Sequence, residues 1–196
     1  MSMKLTMRPA VSAVLLALAL PFAGSAQTQA PAEPERFTAF AISLGGTTSR
    51  PGTAHFEITI DRWSDADELN LLLDALEKGQ RSLLDALRDR KSAGSMRTTE
   101  TLAYDLRYAH QQIDANGKRR IFLATDRPIG YWEMVNQRPS LAYPITVVEL
   151  TVDEKGEGEG QLSVATRLTA SGDRTRLYVQ NYDVRPVLLK SVRRRD

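Results

Sequence analysis

Apolar and polar residues alternate over much of the chain. In residues 37–44, FTAFAISL, and then with Phe56, Ile58 and Ile60 against His55, Glu57, Thr59 and Asp61, the period is two, which predicts strands with one face buried and one wet. The period then lengthens. Leu69, Leu72, Leu73 and Leu76 recur at helical spacing, and Leu72-Leu73-Asp74-Ala75-Leu76 returns 11 residues later as Leu83-Leu84-Asp85-Ala86-Leu87. Ser64 with Asp67 fits a helix start, and Gly79 between the two leucine sets predicts a break into two helices packed on a sheet.

Alternation resumes in residues 100–112, with Leu102, Tyr104, Leu106, Tyr108 and His110 on one side. Asn116-Gly117 then marks a tight turn into a partner strand, RIFLAT. From Ile145 the chain reads as a meander: ITVVELTV, an acidic glycine-rich turn, QLSVATRLT, a turn, TRLYVQNY, a corner, and VLLKSV. The expected fold is α+β: a mainly antiparallel, strongly curved sheet or barrel of about eight strands, with a two-helix excursion after the second strand. In such a barrel Leu102, Tyr104, Leu106, Tyr108, Leu162, Val164, Leu177 and Val179 would point inward, and the Leu102–Tyr108 face would meet Phe56, Ile58, Ile60 and the helix leucines.

The N-terminus changes the compartment. Lys4 and Arg8, an apolar run over 10–23 and Gly24-Ser25-Ala26 have the order of a cleavable export signal, so residues 1–26 are expected to be removed. Residues 27–36 read as a flexible lead-in and 37–196 as one domain, exported to the periplasm or beyond, with no integral membrane segment after signal removal. Without Lys4 and Arg8 the basic count falls from 26 to 24, equal to the acidic count, so the composition gives no footing for nucleic acid.

Candidate chemistry is sparse. The chain has no cysteine and two histidines, His55 and His110, neither at metal-ligand spacing, and it has no G-x-S-x-G elbow. DRWSDADE and DEKGEGEG collect carboxylates without the calcium-loop pattern, and the glycines of 45–52 lack the phosphate-loop lysine. No cofactor is implied. A carboxylate pair serving an envelope-directed hydrolase remains as an alternative, as does a protein-interaction module built on the helix leucines. The C-terminal KSVRRRD reads as a solvated strand end or as an anion-binding patch.

The long connection between Thr125 and Ile145 carries the best site candidate. Tyr131, Trp132 and Tyr143 would line a pocket, with Arg127, Asn136 and Arg138 as polar contacts, in a binding or accessory protein for a small apolar or amphiphilic ligand. ATDRPIGYWE, GEGEGQLSVAT and VQNYDVRPVLLKSVRR together resemble a family of small secreted bacterial proteins. That resemblance spans most of the chain after the leader and implies a single exported domain. The family is uncharacterised, so it implies no activity, cofactor or catalytic residue.

Overall fold

The computed structural model describes residues 16–17, 33–44, 52–99, 102–127, 145–172, 174, 176–181 and 185–195. The strands are β1 (Leu16–Ala17), β2 (Glu35–Ser43), β3 (Gly52–Ile60), β4 (Gly94–Thr98), β5 (Tyr104–Leu106), β6 (Tyr108–Ile113), β7 (Arg119–Thr125), β8 (Ile145–Val152), β9 (Glu157–Ala170), β10 (Arg176–Asn181) and β11 (Val187–Arg195). Helices α1 (Ala66–Glu77) and α2 (Gln80–Arg88) lie between β3 and β4. The expected leader falls outside the described residues except for the two of β1, which pair with Leu177 and Arg176 of β10.

All the ladders are antiparallel, and the sheet runs β5-β4-β3-β2-β11-β9-β8-β7-β6, with β10 added to the far half of β9. This corrects the expected barrel of about eight strands: the ladder is open and has eleven strands. Its two ends, β5 and β6, are separated in the chain by Arg107 alone, whose amide bonds Ala124 O at 2.8 Å while Leu106 O accepts from Ala93 N at 2.7 Å. One sequence segment therefore lies at both ends of the path, and the sheet must bend round to reach them.

Bending gives the sheet an inner and an outer apolar face. Phe37, Phe56, Ile58, Ile60, Met96, Leu106, Leu123, Val148, Leu150, Leu162 and Leu189 fill the inner one. On the outer one Leu72, Leu76, Leu83, Leu84 and Leu87 of the helices pack against Tyr108, Ala124, Ile145, Val147 and Leu168. The expectation of one inward face through Leu102, Tyr104, Leu106 and Tyr108 is thus corrected. Arg107 is an extra residue that reverses the alternation, so Leu106 and Ala109 face the inner core and Tyr108 faces the helices, while Leu102 is exposed. Leu177 and Val179 likewise join the outer cluster, whereas Leu162 and Val164 belong to the inner one.

The helical break occurs where expected, with Gly79 at φ 115°, a conformation that glycine adopts without a Cβ penalty. The N-cap of α1 is Asp65 and not Ser64: the Asp65 carboxylate accepts from Glu68 N at 2.8 Å, and Glu68 also takes a two-pronged bond from Arg62 at 2.7 and 2.9 Å. Ser64 is buried and grips β6 instead, giving its amide to Ala109 O and accepting from Ala109 N. At one rim Arg119 makes a two-pronged bond to Glu35, both contacts 2.7 Å, and lies 5.1 Å from the centre of the Trp63 ring.

Half of the segment expected as an acidic glycine-rich turn is strand: Asp153 to Gly156 turns, through Asp153, and β9 begins at Glu157. Gly158 and Gly160 sit opposite Val152 and Leu150, where a Cβ would fall 2.0 Å from Thr151 O and 2.3 Å from Glu149 O. Gly158→Ala is therefore expected to lower unfolding free energy by about 1–3 kcal/mol in urea titration, the usual range for overpacking. Gly172→Ala, where nothing lies within 4 Å, is the control and should change little.

Candidate functional site

The outer face is wider than its helical cover. Residues His110, Phe122, Glu149 and Gln161 stand opposite one another across β6, β7, β8 and β9, one row beyond the residues that α1 sits on. The leucine stripe of α1 is also broad. Leu72 and Leu76 pack down, while Leu69 and Leu73 remain only partly buried and overhang the open row. Leu177 of β10 closes the far end, beside Arg174, which bonds Asp74 and Glu77 of α1 at 2.8 Å each.

The result is a cleft of about 80 Å³. Its walls are Leu69, Leu73 and Leu177, its floor carries Tyr108, His110, Phe122 and Glu149, and Gln112, Arg120 and Thr151 form the lip. Such a space admits one ring or the end of a short chain and leaves the rest of a larger molecule outside.

The floor resists charge. Burial holds the His110 imidazole below its ordinary value, and it stacks on Tyr108 with ring centres 6.2 Å apart. Burial also pushes the Glu149 carboxyl up, against the opposing pull of a Gln161 hydrogen bond and the Arg120 charge. Burial raises the Tyr108 hydroxyl as well, helped by the nearby carboxylates of Glu68 and Asp65. That hydroxyl is buried and has no hydrogen-bond partner among the described residues.

Two larger concavities, of about 420 and 500 Å³, lie on the outer face of β2, β3, β4 and β11. They are lined by Thr38, Glu57, Arg97, Arg193 and Arg195, whose charges are partly compensated by cross-strand pairs, Arg97 with Glu57 at 2.7 Å and Arg193 with Glu157 at 3.7 Å. Exposed pairs of this kind are worth little in energy.

Of the residues picked out in the long connection, Tyr131, Trp132, Asn136, Arg138 and Tyr143 lie outside the described residues. Arg127 is described: its guanidinium lies 5.0 Å from the centre of the Tyr104 ring, and it does not line the α1–β10 cleft. His55 meets Phe40 edge-on at 5.6 Å on the exposed outer face. Among the described residues no group of three or more His, Asp or Glu is placed to hold a metal, and no helix is long and apolar enough to cross a membrane. Glu149 is the one carboxylate among the described residues that line the cleft, so no carboxylate pair forms there.

The signals for this cleft were present but scattered. Five segments contribute, α1, β6, β7, β8 and β10 with the turn before it, and each has an unremarkable local pattern. Only the surplus width of the leucine stripe hinted that α1 had a second apolar edge. No family model, no curated protein and no solved structure is matched by this chain.

The raised Glu149 carboxyl has a direct consequence for stability. Its native state holds the proton more tightly than the unfolded chain does, so its ionisation costs stability as pH rises above the ordinary value of 4.5 and through the native one. Glu149→Gln should therefore be more stable than the parent at pH 8, with the difference shrinking as pH falls towards 4.5. Urea midpoints at both pH values decide it, and a difference independent of pH would show that the carboxyl is not perturbed by burial.

Proposed function

We propose that this chain is an exported binding or accessory protein that holds a small apolar or amphiphilic molecule in the cleft between α1 and β10. The observation that carries the reading is the overhang of Leu69 and Leu73 above Phe122, with Leu177 closing the end. These side chains form a preformed apolar slot at the surface, in which a ligand gains burial without reordering the core. Export is supported by the order of charge, apolar run and small residues over 1–26. The 126–144 connection remains a second place where Arg127, Tyr131 and Trp132 would add contacts to a ligand, and it needs its own test.

Two other readings lose ground on particular residues. A hydrolase with paired carboxylates finds only Glu149 among the described residues of the cleft. A partner surface made from the helix leucines needs them exposed, yet Leu76, Leu84 and Leu87 are buried.

Toluene followed by ligand-observed NMR tests the slot. Leu73→Glu places a carboxylate at the overhang and is expected to weaken toluene binding at least about tenfold, since the ring must then pack against a charge. Circular dichroism should stay unchanged because Leu73 is not in the buried core. Equal toluene binding by both proteins would remove the cleft as the site. Expression in a host competent for export should yield a chain starting at Gln27, which N-terminal sequencing reads directly.

A further inference from the structure

We infer that the outer face of β2, β3, β4 and β11 is a second binding site, separate from the α1–β10 cleft, and that it takes an extended acidic polysaccharide whose sugars carry carboxylates among free hydroxyls. Two rows of side chains cross this face. In one, Arg97, Glu57, Thr38 and Arg193 stand opposite one another on β4, β3, β2 and β11. In the next, Ser95, Thr59, Arg36 and Arg195 do the same. The concavities of about 420 and 500 Å³ on this face share Thr38, Glu57 and Arg195, so they adjoin.

The second row points to an anion. Arg36 and Arg195 are direct cross-strand partners and both are exposed, and like charges so placed repel. Neither has an acidic partner among the described residues; Arg195 Nε donates to Thr38 Oγ1 at 3.2 Å. A carboxylate between the two guanidiniums turns that repulsion into a clamp, because the arginine fork matches its two oxygens. In the first row Arg97 is held by Glu57 and Arg193 by Glu157, but these pairs are exposed and weak, so a ligand can exchange with them. Arg97 and Arg193 stand three strand spacings apart, about 14 Å, and an occupant that meets both is extended.

The groups between the arginines select the kind of polyanion. Glu57, Thr38, Thr59 and Ser95 accept hydrogen bonds from hydroxyls, which a sugar acid offers between its charges, whereas Glu57 repels an uninterrupted run of phosphates. The arginines line depressions, which a flat bilayer does not enter. Phe40, exposed beside His55, adds an apolar surface for the C–H face of a sugar ring.

Isothermal titration calorimetry with oligogalacturonate, which has one carboxylate per sugar, tests the site at low ionic strength. The parent should bind it and should not bind dextran, the uncharged control, and added sodium chloride should weaken the complex. Arg36→Gln combined with Arg195→Gln should weaken binding by about tenfold or more, the loss of two charge-assisted hydrogen bonds. Arg81→Gln combined with Lys91→Gln removes the same charge from exposed positions away from this face and should leave binding unchanged. Without ligand the Arg36 and Arg195 variant should be no less stable in urea than the parent, because it relieves the like-charge pair. A loss of stability without a loss of binding would make these arginines structural and overturn the inference. So would a parent that does not bind oligogalacturonate, or that binds a deoxythymidine oligonucleotide or phosphatidylglycerol vesicles more tightly. The toluene test of the α1–β10 cleft is independent of all these outcomes.

Discussion

At Gly158 and Gly160 the β9 backbone passes so close to β8 that neither position has room for a Cβ, and this close approach sets the geometry of the sheet. β9 is 14 residues long and meets β8 on one edge, while its other edge is shared by β11 along 157–162 and by β10 along 166–170. Side chains at 158 and 160 would push these neighbours apart. Their absence lets the sheet coil tightly enough for β5 and β6, adjacent in the chain, to serve as its two ends. Beyond Val164 the strand continues past the inner core, and there β10 and the helices gather. The cleft is a product of that extension.

The elements that could be read from the chain were those in which a single local rule governs. The helix pair follows from leucine spacing and Gly79, and the β6–β7 hairpin from a turn in which Asp114 accepts from the amides of Asn116 and Lys118. β4 escaped notice because GSMRT has only Met96 to mark an apolar face. The glycines of β9 pointed to a turn because glycine usually weakens a strand, and here its lack of a side chain is the reason for its place. Arg107 had the largest effect. One inserted residue moved Tyr108 from the predicted interior to the helix-facing side, where it lines the candidate site.

The position of that site depends on how α1 is tied down. At its start Asp65 caps the helix, Arg62 holds Glu68, and Ser64, the residue before the cap, is bonded to Ala109 of β6. At its end Arg174 reaches Asp74 and Glu77 from the turn before β10. The two attachments are unequal. The first is partly buried and shared with backbone groups, whereas the second lies in solvent and adds little to stability. The cleft therefore has a firm end at Tyr108 and a looser one at Leu177, so an apolar molecule in it meets a fixed surface at one end and an adaptable one at the other.

Acid acts on the two carboxylates beside the cleft in opposite senses. Its hydrogen bond from Arg62 holds Glu68 below its ordinary value, so the stability it contributes is present above 4.5 and is lost as pH falls through the lower native value. Glu149, pushed up mainly by burial, costs stability at neutral pH, and that cost fades as pH falls towards the ordinary value of 4.5. Mild acid thus relieves the floor before it loosens the helix anchor. Over that interval the cleft loses a buried negative charge while α1 stays fixed, which makes it more apolar without making it less ordered.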